Sequence, residues 1–142
     1  MAEHYIPAEL RRLVAERATH RCEYCRAPAA FSSDTFTCDH ILPRSQGGLT
    51  TAENLALACY SCNQHKSARL SAIDPSTGAT VRLFHPRLQQ WQEHFVWEEA
   101  CTDVRGVTTV GRATVEVLQL NRTGLINLRR LLYRYGEHPP PV

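Results

Sequence analysis

Residues 37–48 read TCDHILPRSQGG. An aspartate and a histidine, Asp39 and His40, stand side by side, just after Cys38 and just before Pro43 and the pair Gly47-Gly48. Neither residue favours the interior of a helix or a strand. The pair therefore asks for a chemical reason. Working outward, a matching element lies on each side: Cys22-Glu-Tyr-Cys25 upstream and Cys59-Tyr-Ser-Cys62 downstream. Each C-x-x-C turn offers two thiolates. Two such turns brought together give four sulfurs in a tetrahedron, the structural environment that Zn²⁺ prefers. The 33 residues between the pairs exceed the roughly 15–20 of a compact zinc ribbon. The knuckles must bracket something substantial, and what they bracket is the Asp39-His40 stretch. A closed four-thiolate site has no position for water, so the expected zinc is structural and its binding energy goes into folding. Redox cysteines and buried free thiols are the alternatives, but a redox C-x-x-C usually comes singly, near a βαβ pattern. Cys38 and Cys101 have no partner and are expected to be small buried hydrophobes.

The chain of 142 residues fits one domain, or one small domain with an extension. With 43% hydrophobic and 21% charged residues it has the composition of a globular protein. No apolar run approaches the roughly 20 residues that span a bilayer. The start, MAEHYIPAELRRLVAE, lacks the apolar stretch of a secretory signal. The reading is a cytoplasmic protein with no membrane partner, whose cysteines stay reduced. The formal charge of +2 falls to neutrality once four thiolates and one Zn²⁺ are counted. Any attraction to nucleic acid must then come from a local patch. Lys66 is the only lysine. The preponderance of arginine suits phosphate oxygens, although composition bias accounts for it as well.

Residues 8–18 carry Leu10, Leu13 and Val14 at helical spacing after Pro7. A strand is expected from about Thr35, with Phe36 and Cys38 on one face. A turn-rich loop follows over PRSQGGLTTAEN, then a short apolar strand at LALAC and a second knuckle running into a helix. DPSTG reads as a turn and TVRLF as a strand. A short helix is expected from His85 through Gln92. HFVWEEACTDVRGVTTV reads as a hairpin burying Phe95, Trp97 and Val104, and TVEVLQLN as a helix. GLINLRRLLYRYG is the clearest helix, with Leu125, Leu128, Leu132 and Tyr135 in a stripe and Gly136 as its cap. Arg129, Arg130 and Arg134 fall off that stripe, as a basic or simply solvated face. The expected division is a core over 1–73, an extension packed on it over 74–136 and a disordered tail over 137–142.

The ordered series C22-EY-C25, D39-H40-I41, P43, G47-G48, E53-N54-L55, C59-YS-C62-N63 and K66 resembles the HNH endonucleases, the zinc-bracketed members of the ββα-metal nucleases. The resemblance covers about residues 22 to 66. It implies an α+β fold: two strands and a helix clasping one catalytic divalent ion, here with an N-terminal helix and a C-terminal hairpin and helical extension. It implies an enzyme that hydrolyses phosphodiester bonds in DNA. Asp39 and Asn63 would be ligands of Mg²⁺, or another divalent ion such as Mn²⁺ or Ni²⁺. His40 would be the general base, and Asn54 would brace the loop that carries it. Lys66 and Arg44 are the candidates for phosphate contact.

The residues support this reading on their own chemistry. Phosphodiester hydrolysis needs an activated water and charge stabilisation at phosphorus. An imidazole, with an unperturbed pKa near 6.5, suits proton abstraction. Neighbours along a strand point to opposite faces, so Asp39 can face a metal while His40 faces the water. Each residue also has a plainer reading: a surface dipeptide for Asp39-His40, helix caps for Asn54 and Asn63, a solvated face for Lys66. A module of the same fold that only binds nucleic acid or protein remains the alternative. Substrate preference and oligomeric state, monomer or homodimer, are not written in the sequence. His20, His85, His94 and His138 have no such context.

Overall fold

The five residues Leu55–Cys59, LALAC, are all buried. They form the second strand of a hairpin that organises the molecule. The computed structural model describes residues 5–141, so the expectations for residues 1–4 and for Val142 lie outside the described residues. Strand β1 (Phe36–His40) pairs antiparallel with β2 (Leu55–Cys59), with Asp39 opposite Ala56 and His40 opposite Leu55. Strand alternation then decides what each face holds. Leu55 and Leu57 join Ile6, Val14 and Ala18 in one apolar cluster, with Phe36 and Cys38 against it. Val14 comes from helix α1 (Ala8–Arg17), so α1 covers that face. Ala56 and Ala58 face the other way, into the larger core. Their small side chains leave room there for what packs beside them.

Helix α2 (Tyr60–Lys66) follows β2 directly. Two further hairpins and three helices complete the described chain. Strands β3 (Ser71–Ile73) and β4 (Thr80–Arg82) pair antiparallel. The single-turn helix α3 (Trp91–His94) leads into β5 (Phe95–Trp97), which pairs with β6 (Val104–Gly106). Helices α4 (Thr109–Leu118) and α5 (Thr123–Arg134) close the fold. The result is α+β, with three separate two-stranded sheets among the described residues. One apolar cluster contains Tyr24, Ala56 and Ala58 together with Phe84, Trp91, Phe95, Leu118 and Leu125. The chain on either side of residue 73 thus shares a core. No helix among the described residues is long and apolar enough to cross a membrane.

Several elements differ from the expectation. The helix expected over His85–Gln92 is a turn there, and helix begins only at Trp91. The helix expected from Thr114 begins five residues earlier. Thr108 caps it, its side chain accepting a hydrogen bond from the Gly111 amide at 3.0 Å. Arg129 is not on an outer face: it is 3% exposed. It lies four residues after Leu125 and so falls on the same buried stripe. Its guanidinium donates to the carbonyls of Thr102 (2.8 Å) and Leu120 (2.7 Å) and lies 5.0 Å above the Trp97 ring. The tail expected to be disordered is docked over its described residues. His138 is 5% exposed, its ring stands edge-on to Trp97 with the ring centroids 4.4 Å apart, and its Nε2 donates to the Cys101 carbonyl at 2.8 Å. Cys38 and Cys101 are half-buried rather than buried.

Candidate active site and zinc knuckles

The four knuckle cysteines are buried, and their sulfurs all lie within 4.8 Å of one another. Cys25 Sγ and Cys59 Sγ are 3.8 Å apart. Ligands at about 2.3 Å in a tetrahedron are separated by roughly the same distance. Without a cation the set cannot carry four charges. Burial pushes the Cys22 thiol up, and hydrogen bonds from the other three cysteines hold Cys59 down as the favoured thiolate. A dication at the centre removes that conflict, so the donor set fits a structural metal such as zinc. The knuckles are held from outside as well. Glu23, inside the first turn, exchanges backbone and side-chain hydrogen bonds with Leu57 of β2 (both 2.8 Å). Its other carboxylate oxygen pairs with Arg87. Trp91 Nε1 donates to the Tyr24 carbonyl at 3.0 Å.

Asp39 projects from β1 toward α2 and is 5% exposed. Tyr24 Oη donates to its Oδ2 at 2.8 Å. Lys66 Nζ lies 3.2 Å from Oδ2 and 3.4 Å from Oδ1. Burial pushes the carboxyl up from its ordinary value, and the ammonium and the phenol oppose that. Burial, reinforced by Asp39, pushes the Tyr24 phenol well above its ordinary range, so it stays a donor. Lys66 is 2% exposed. Its ammonium also donates to the carbonyls of His40 (3.3 Å) and Ile41 (3.4 Å). Lys66, expected as a phosphate contact, is here paired with Asp39 and turned inward. The helix ends at Lys66, so its long side chain turns inward under β1 and is used up on Asp39 and the strand end.

Asn63 lies three residues before Lys66, one helical turn away on neighbouring positions of α2. Its side chain is half-buried. Its backbone carbonyl accepts from the Ser67 amide at 2.9 Å, while its carboxamide makes no hydrogen bond among the described residues. His40 is on the opposite face of β1. Its Nε2 lies 2.9 Å from Thr50 Oγ1, and the exposed Arg44 donates to the same hydroxyl at 3.3 Å. The loop between the strands is fastened by Asn54. Its Oδ1 accepts from the Leu42 amide at 2.8 Å, and its Nδ2 donates to the carbonyls of Leu42 (3.0 Å) and Leu49 (2.8 Å). Gly48 is required there, since a Cβ would lie 1.7 Å from the Leu42 carbonyl oxygen. Gly47 takes a left-handed turn at φ +92°.

Residues 22–69 match the HNH endonuclease family model. The matched segment is about a third of the chain. No curated protein and no solved structure matches it. The HNH segment begins at the first knuckle and ends just past α2. It therefore contains every residue singled out above for metal, proton or phosphate. Three neighbours of those residues were not singled out from the sequence. Tyr24 sits inside the first knuckle, where a bulky aromatic in a tight turn is a usable signal. Thr50 is one of two adjacent threonines in a loop, with nothing to distinguish it. Arg122, which reaches the sulfurs of Cys59 and Cys62, lies outside the HNH segment and has no local signal at all.

Proposed function

We propose that this protein is a metal-dependent endonuclease that hydrolyses phosphodiester bonds in DNA. The observation that carries the reading is the division of labour across β1 within the HNH segment. Asp39 faces α2, where the Asn63 carboxamide is unengaged, and His40 faces the loop carrying Thr50 and the exposed Arg44. In this reading His40 takes the proton from the attacking water. Nε2 then donates to Thr50 Oγ1, which fixes the neutral tautomer whose proton-accepting lone pair is on Nδ1. The Thr50 hydroxyl has two lone pairs and accepts from Arg44 as well. The exposed guanidinium of Arg44 then orients a phosphate beside the imidazole. Asn54 holds the loop that sets the His40–Thr50 geometry.

Asp39 and Asn63 would hold a divalent ion such as Mg²⁺, Mn²⁺ or Ni²⁺, which when bound polarises the phosphate and stabilises charge developing at phosphorus. The donors fit such an ion with a qualification of charge. Oδ1 of Asp39 meets only the ammonium at 3.4 Å and keeps lone pairs for another partner. Lys66 already neutralises the carboxylate, so Asp39, Asn63 and Lys66 together carry no net charge. Protein ligands alone then hold the ion weakly, and substrate phosphate oxygens complete its shell.

One observation favours a second reading. Asp39 is buried and already satisfied by Tyr24 and Lys66, as a purely structural carboxylate would be. In that case the protein is a non-catalytic zinc module binding nucleic acid or protein. Incubation of the purified chain with supercoiled plasmid and with single-stranded DNA decides between them, run with Mg²⁺, Mn²⁺, Ni²⁺ or no divalent ion. Divalent-dependent nicking supports the nuclease. No cleavage of either substrate under any metal gives the second reading.

A further inference from the structure

Arg122 stands in the turn between α4 and α5, fixed on both sides. Its amide donates to the Gln119 carbonyl, and its own carbonyl accepts from the amides of Leu125 and Ile126 at the start of α5. Its side chain is fixed as well: Nη1 donates to the carbonyls of Leu118 and Gln119, both at 3.2 Å. What remains of the guanidinium points at the metal site. Nη2 lies 3.4 Å from Cys59 Sγ and 3.6 Å from Cys62 Sγ, and Nη1 lies 3.6 Å from Cys62 Sγ. The fork therefore spans both sulfurs of the second knuckle. The first knuckle receives a different donor, the Cys25 amide on Cys22 Sγ at 3.4 Å.

Four thiolates around Zn²⁺ carry a surplus of two negative charges. A thiolate is the nucleophile in its own alkylation or oxidation, and on a sulfur already deprotonated by the metal a cation or hydrogen-bond donor lowers that nucleophilicity. We propose that Arg122 is a positioning residue of the zinc centre: its guanidinium offsets part of the surplus charge and keeps Cys59 and Cys62 on the metal. The segment beyond the family match thereby supplies part of the zinc site. This inference rests on the four-cysteine metal reading and is independent of the nuclease reading.

The test uses the full chain in its zinc form, as wild type, Arg122→Met and Arg122→Lys. Zinc content is first measured by elemental analysis. N-ethylmaleimide is then added, zinc release is followed with 4-(2-pyridylazo)resorcinol, and the order of cysteine labelling is read by peptide mass spectrometry. Outer partners of metal ligands are typically worth 10–100-fold. Arg122→Met should release zinc at least about tenfold faster, with Cys59 and Cys62 labelled ahead of Cys22 and Cys25. Cys38 and Cys101, which are half-buried and outside the site, report general loosening of the fold. A release rate equal to wild type, or labelling of all four ligands in step with Cys38 and Cys101, would overturn the proposal. So would a folded protein that contains no zinc. Should Arg122→Met fail to fold, Arg122→Lys carries the test. A single ammonium cannot span two sulfurs, so one of Cys59 and Cys62 must gain reactivity relative to wild type, and an unchanged rate and order would count against the assignment.

Discussion

At the scale of single residues, Asp39 and His40 divide their tasks because a strand sends neighbours to opposite faces. If His40 is the general base, His40→Ala should slow plasmid nicking by about 10²–10⁴. DNA binding, read by gel shift, should persist because phosphate contacts do not depend on a neutral imidazole. Equal nicking rates for the two proteins would remove His40 from the role. Lys66 makes a different prediction. Removing one member of a buried ion pair strands the other, at a cost of about 3–5 kcal/mol. Lys66→Met should therefore lower stability in a urea melt by that order, where an exposed phosphate-binding lysine would leave the melt unchanged and weaken DNA binding instead. The candidate residues could be named from the sequence because many residue types had to match in order around two knuckles. Their contacts were not. Nothing local says that Lys66 bends inward, because that depends on where α2 stops and how close β1 lies. Thr50 became visible only once the chain was folded.

At the scale of elements, the hairpin β1–β2 and helix α2 followed from apolar patterning and from knuckles that punctuate the chain. Short elements beyond residue 73 were misjudged at their edges. Thr and Val at 107–110 suit strands, yet the Thr108 cap gave Thr109 and Val110 to α4. Arg129 was misread because a charged residue was assumed to leave the buried stripe, whereas its stem packs and its head finds carbonyls. The knuckles carry the next prediction. Cys59→Ser, or removal of zinc by a strong chelator, should unfold the core rather than merely slow catalysis, because the site's binding energy is folding energy. Loss of amide dispersion in NMR is the readout, and a folded, zinc-free Cys59→Ser protein would contradict it. The loop carries another. Gly48→Ala drives a methyl into the Leu42 carbonyl and should cost about 1–3 kcal/mol, the usual range for overpacking. A differential melt against wild type checks it.

At the scale of the whole molecule, the docked tail gives a pH dependence. Burial lowers the His138 pKa to about 4, against a weaker opposing effect of its hydrogen bond to Cys101, with Arg129 and Arg21 lowering it further. Undocked, the imidazole titrates near its ordinary value of about 6.5. The neutral ring is the docked form, so docking is complete above about pH 6.5 and weakens as pH falls from there toward 4, by up to tenfold per unit. Trp97 touches the ring, so tryptophan fluorescence should change over that interval and not in His138→Ala. No sequence pattern announced this contact, since a histidine followed by three prolines gives no periodicity to read. The shared core has a consequence of another kind. All four knuckle sulfurs have been synthesised once residue 62 is made, but Leu118, Leu120 and Leu125, which close the same cluster, come much later. During translation, metal capture and burial of the apolar core are therefore events separated in time. A ribosome-stalled chain long enough for the second knuckle to have cleared the exit tunnel, but not for α4 and α5, should bind zinc and yet be cut readily by protease, and protection should arrive only when α5 has emerged.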